Sequence, residues 1–220
     1  AVFENKGTDG VFNAGDYILF YAQGVVSWNY DASKLMFVHQ NNPYANYGYY
    51  FLSSDAGSRK RIQDVNNEPP QNVVATDVET FTDYALYEKE LQSLARSGKE
   101  FYGETFSDVL TKTISFEFPN VLTSTNAIKT RLDVAAASSV NSSFSLDLSG
   151  QQSQSLSVSY RSETDHYEKA KQSTGIFFFT PLGNTSQFNL VYQKTAATGV
   201  GYLNFLEVNA QRKLSMSGAS

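Results

Sequence analysis

The residues of this chain best suited to chemistry lie near its start, in the stretch 5–16, where Asn5, Asp9, Asn13 and Asp16 recur at steps of four and three. Calcium is a hard cation that takes about six to eight oxygen ligands, and Gly10 stands where a calcium loop makes its sharp turn. Gly7 occupies a position that should carry a third ligand, and only Asp9 and Asp16 of the four are charged. Neither flank has a helical pattern. The expectation is a plain turn leading into a strand, with a calcium loop as the alternative and no other cofactor.

Nucleophilic chemistry has little to work with. The chain has no cysteine, which removes a thiolate, a disulfide and a Cys-ligated metal from consideration. Its two histidines, His39 and His166, lie far apart with no second ligand at metal spacing, so both read as surface or hydrogen-bonded strand residues. Serine is abundant, but no Gly-x-Ser-x-Gly elbow presents one as a nucleophile. The remaining candidates are aromatic: Trp28, Tyr30, Tyr47 and Tyr49, joined by Tyr44 and Tyr50. Such rings stack on sugars, but they also bury large areas, and core or interdomain packing is the expectation.

The elements that must position these residues are strands. Fourteen Tyr and sixteen Phe suit a pleated, half-buried surface. Tyr17 to Tyr21, Ser27 to Tyr30, Leu35 to Val38 and Tyr49 to Leu52 read as the strands of a small antiparallel unit over 1–65. Beyond it, 53–80 changes character, with Arg59-Lys60-Arg61 and Pro69-Pro70 in a polar run that reads as a linker or a long excursion. Tyr84, Tyr87, Leu91, Leu94 and Ala95 recur at threes and fours and predict one amphipathic helix over 83–97, within a linker-and-helix segment 66–104. From Thr111 onward, in a unit spanning 105–213, the period becomes two. Seven strands there, around Ile114, Ile128, Phe144, Leu156, Gly175, Phe188 and Val200, predict a mainly β fold with an antiparallel, jelly-roll-like sandwich. Residues 214–220 read as an exit toward a further domain.

Charge and hydropathy exclude other classes. Seventeen basic residues against twenty-two acidic ones give a net charge of −5, without the positive footprint that nucleic acid needs. No apolar run approaches the roughly 20 residues of a membrane-spanning helix. The start shows no export signal, so any such signal is expected to lie upstream or to have been removed.

Four stretches point together in a fixed order: 9–21, with Asn13-Ala14-Gly15-Asp16-Tyr17; 46–52; 87–104, with Tyr87-Glu88-Lys89-Glu90 and Phe101-Tyr102-Gly103-Glu104; and 201–207, with Gly201-Tyr202-Leu203-Asn204-Phe205. They resemble segments upstream of the gingipain-type peptidase domain in PorU-type sortases of the type IX secretion system. The resemblance implies a non-catalytic accessory region of a cell-surface cysteine peptidase from a Bacteroidetes-type bacterium. The family's Cys and His lie downstream of this region, and no residue here inherits their role. It also implies that the whole protein cleaves sorting signals from secreted cargo and transfers the product to lipopolysaccharide. The implied partners are the downstream peptidase domain and an outer-membrane barrel. A carbohydrate-binding sandwich is the competing reading, to be favoured by an open groove lined with Trp28 and tyrosines. A hydrolase built on serine or carboxylates would need a polar cluster in a deep cleft.

Overall fold

The computed structural model describes residues 2–42, 44–53, 62, 77–95, 100–162, 164 and 167–215. Arg59-Lys60-Arg61, Pro69-Pro70, His166 and 216–220 lie outside the described residues, as does most of the expected linker. Among the described residues thirteen strands form: β1 (Val2–Asn5), β2 (Tyr17–Phe20), β3 (Ser27–Asp31), β4 (Met36–Gln40), β5 (Thr80–Glu88), β6 (Thr105–Phe106), β7 (Thr111–Glu117), β8 (Ile128–Ala137), β9 (Ser142–Leu148), β10 (Gln151–Val158), β11 (Lys171–Phe179), β12 (Thr185–Gln193) and β13 (Val200–Lys213). No helix among the described residues is long and apolar enough to cross a membrane.

Alternation builds the sandwich. In β9, Phe144, Leu146 and Leu148 are buried while Ser143, Ser145 and Asp147 face outward, and Phe188, Leu190 and Tyr192 repeat the pattern in β12. These residues pack against Ile128, Leu132 and Val134 of β8 and Leu203, Leu206 and Val208 of β13 in one core. The two sheets have orders β10-β9-β12-β7 and β11-β8-β13-β5, with β6 added beside β13. The chain alternates between sheets at nearly every step. This is the double Greek key of a jelly roll, and it agrees with the expected mainly β sandwich.

Two local devices hold the registers. Ser149 and Gly150 both have positive φ, 54° and 76°, and Leu148 pairs with Gln151 across them. Such a two-residue turn matches the twist of the strands it joins. In β13, the register against β8 shifts between Leu203 and Phe205. The extra residue, Asn204, lets Leu203 and Leu206 both face the core although they are three apart.

One element corrects the sequence reading. The expected helix over 83–97 does not form: 80–88 is the strand β5, paired along its whole length with β13 from Phe205↔Glu88 to Lys213↔Thr80. Thr, Phe and Tyr favour the strand locally. Packing on both faces puts apolar residues on both alternation phases, so the run loses its period of two and mimics a helical stripe. Leu91, placed on that stripe, is 69% exposed. The correction supplies the eighth main strand that a seven-strand reading lacked. A smaller correction falls at 49–52, which carries no strand and is exposed.

Candidate interaction site

The outer face of the β11-β8-β13-β5 sheet carries polar and charged side chains that are nevertheless buried, among them Asp133, Glu207 and Asn209. The hairpin of β3 and β4 covers part of this face. Its seat is chemical as well as steric. Asn209 uses its side-chain amide as a strand edge would, accepting from the Phe37 N–H at 2.7 Å and donating to the Phe37 carbonyl at 2.9 Å. Two residues along β4, the His39 N–H donates to Glu207 Oε1 at 2.6 Å. Side chains of β13 thus satisfy backbone groups of β4 that would otherwise be desolvated without partners.

Glu207 is the hub. Its side chain is fully buried, and Arg131 grips it through Nε and Nη2, the latter at 2.7 Å from Oε1. Paired N–H donors from one guanidinium fix both distance and plane. The His39 ring also bonds Glu207 through Nδ1, and its Nε2 stands 3.6 Å from Glu88 on β5. Asn41 extends the network, donating at 3.3 Å to both Glu88 and Glu90. Aromatic packing closes round the charges: the His39 ring meets Phe205 edge-on at 4.6 Å, and Arg131 lies over the same ring at 4.6 Å. Trp28 packs on Tyr84 at 4.4 Å, and Phe37 on Tyr84 at 5.0 Å.

Electrostatics follow from this geometry. Burial alone pulls the His39 pKa down, but the bonds and charges of Glu207 and Glu88 outweigh it and push it up to about 9. For Glu207, burial raises the pKa, and the stronger opposing pull of His39 and Arg131 leaves it lowered. Burial and then the charge of Glu88 raise the Glu90 pKa. At neutral pH the latch therefore joins imidazolium and guanidinium to two carboxylates. An imidazole already holding its proton is no general base. The arrangement is suited to clamping two parts of the chain together.

The sequence-derived candidates separate in space. Trp28 lies in the seam between hairpin and sheet, whereas Tyr30, 56% exposed, leans on Phe37 at 5.4 Å. Tyr47 and Tyr49 are exposed, as are Tyr44, Phe51 and Leu52. With Leu19, Phe20 and Tyr21 they make the N-terminal unit much more apolar at its surface than the sandwich. In the 5–16 loop, the side-chain oxygens accept from the loop's own groups. Asn5 takes the Gly7 N–H at 3.1 Å, Asp9 takes the Val11 N–H at 2.9 Å and the Asn13 amide at 2.9 Å, and Asp16 takes the Asn13 N–H at 2.8 Å. These are the self-satisfied bonds of an Asx-type turn. Among the described residues no group of three or more His or acidic side chains gathers to hold a metal.

Sequence reading missed the latch. A signal existed: Glu207 and Asn209 interrupt an apolar run in a strand buried on both faces, and buried charges require partners. The partners themselves, His39 and Arg131, are 168 and 76 residues distant and carry no local mark.

No protein-family model and no curated protein matches this sequence. Among solved structures, the chain is similar to dimeric latent PorU from Porphyromonas gingivalis, with 26% identity and a TM-score of 0.75 over 94% of this chain. That overlap spans only 19% of the PorU chain, so this chain corresponds to about a fifth of its length. A CBM36-1 domain of a multidomain xylanase from the hindgut metagenome of Trinervitermes trinervoides overlaps 62% of this chain and all of its own, at 10% identity and a TM-score of 0.39. A carbohydrate-binding module, CBM36, in complex with calcium and xylotriose overlaps 60% of this chain and 99% of its own, at 13% identity and a TM-score of 0.37. Overlaps this loose carry no functional argument. The chain thus has the fold of a PorU segment, and it contains no cysteine to act as nucleophile.

Proposed function

We propose that this chain is a non-catalytic accessory segment of a larger, cell-surface, gingipain-like cysteine peptidase that processes type IX secretion cargo, and that it positions or restrains the peptidase domain. The observation that carries the reading is the overlap with PorU across both the N-terminal unit and the sandwich at 26% identity. A shared sandwich alone would be weak, because one fold hosts many functions. The apolar surface of the N-terminal unit supports the same reading, since large exposed apolar patches mark interaction surfaces. The peptidase domain of the same polypeptide is the proposed occupant, and an outer-membrane barrel is the proposed partner of the whole protein.

The test is to detect the native protein with antibody against this chain and to label the same sample with a thiol-reactive peptidase probe. The reading expects one polypeptide far larger than 24.4 kDa that carries both signals. A free 24.4 kDa protein, or a large one that no thiol probe labels, would contradict it.

A further inference from the structure

The β3-β4 hairpin is held in place by side chains. Among the described residues its two strands pair only with each other, from Ser27↔Gln40 to Asp31↔Met36, and neither extends a larger sheet. A lone two-stranded hairpin is marginally stable at best in water, so this one borrows its order from the face it lies on. Of the ties to that face, the bonds between Asn209 and Phe37 are neutral, and Trp28 and Phe37 pack on Tyr84 through their rings. Lys129 donates to the Lys34 carbonyl at the turn. The His39 tie alone rests on a side chain whose ordinary charge change falls near neutral pH.

The His39 side chain is 6% exposed and meets groups from each strand around it. Glu207 of β13 is bonded to Nδ1, Glu88 of β5 stands 3.6 Å from Nε2, and Arg131 of β8 holds Glu207. Phe205 packs on the ring, Trp28 of the same hairpin lies at 6.0 Å, and Asn41 links Glu88 to Glu90. An imidazolium has one N–H for each carboxylate. A neutral imidazole keeps a single N–H, so the nitrogen that loses its proton turns a lone pair toward a buried carboxylate. Burying a charge stripped of its partner is costly. The sandwich core, an apolar cluster between the two sheets, has no part in this exchange.

We propose that the proton on His39 is a switch for the hairpin alone: with it the hairpin sits on the β11-β8-β13-β5 sheet, and without it the hairpin lifts away while the sandwich stays folded. Release uncovers Tyr84 and Phe205 and loosens the N-terminal unit from the sandwich. Its size follows from linkage. Seating is fully favoured below pH 6.5 and weakens by up to roughly 300-fold as pH rises to about 9, the interval over which the His39 pKa is raised.

The test uses the full 220-residue chain, read by NMR in urea at pH 7 and at pH 9.5. Trp28, the one tryptophan, replaced by 5-fluorotryptophan, and the Met36 methyl report the hairpin, and the buried Ile114 methyl reports the sandwich. The hairpin signals should lose their native positions at lower urea at pH 9.5 than at pH 7, and at pH 9.5 they should do so before Ile114. His39→Gln keeps a hydrogen-bond donor and cannot ionise, so its hairpin midpoint should be the same at both pH values, with Ile114 native in the absence of urea. One shared midpoint for hairpin and Ile114 at pH 9.5, or a hairpin midpoint indifferent to pH in the unsubstituted chain, would overturn the proposal. So would an equal pH shift in His39→Gln, or loss of the native Ile114 signal in that variant without urea.

Discussion

At the scale of residues, the account rests on Glu207, an acid that the sequence shows only as an oddity inside an apolar run. Removing its charge by Glu207→Gln would leave Arg131 without its counter-ion and His39 with Glu88 alone. Breaking a buried pair from one side costs about 3–5 kcal/mol, read as a lowered urea midpoint with faster exchange of the Phe37 and His39 amides. The pH dependence has a definite sign. The His39 pKa is raised from 6.5 to about 9, so its contribution is fully present below about 6.5 and is lost as pH rises toward 9. Glu207 is shifted the other way, so its contribution is present above the ordinary glutamate pKa and is lost as pH falls through its lowered value. Stability measured from pH 6.5 to pH 9 should therefore fall in the native protein and stay flatter in His39→Gln. An unchanged slope in that variant would show that His39 is not held by the two carboxylates. The sequence reading of His39 was a surface or hydrogen-bonded strand residue, and the structure selects the second. Its partners were not legible, because they arrive by topology.

At the scale of elements, alternation was easy to read wherever one face meets solvent, as in β7, β9 and β12. It failed at β5, where Tyr84 faces the hairpin while Ala85 and Tyr87 pack against the core. A strand clad on both sides has no period of two to display. The correction is open to test by a contrasted pair: Leu91→Ala should change stability by no more than about 0.5 kcal/mol because its side chain is exposed. Leu206→Ala, on the strand that β5 pairs, should cost about 2–5 kcal/mol. A large loss at Leu91 would restore the helix. Close packing between the sheets gives a further test at Gly201, where an added Cβ would lie 2.7 Å from the Phe144 ring and 2.9 Å from Tyr192. Gly201→Ala should cost about 1–3 kcal/mol by overpacking, seen as a lower melting temperature.

At the scale of the whole molecule, two surfaces of opposite character coexist. The sandwich shows serines, threonines and amides on its outward β9, β10 and β12 positions, whereas the N-terminal unit shows Leu19, Tyr21, Tyr47, Tyr49 and Phe51. The latch holds this apolar unit on the sandwich and so presents a defined surface. The composition made the aromatic tract visible from the start, but whether it was core or surface depended on the absence of a strand at 49–52. The most direct measurement of the central claim is hydrogen exchange of residues 44–52 and of β2, compared between this chain alone and the larger peptidase proposed to contain it. The account predicts slower exchange in the larger protein, by about tenfold or more, because the proposed peptidase domain would cover that face. Equal exchange in both would contradict the claim, leaving the segment a tethered neighbour with no shared interface.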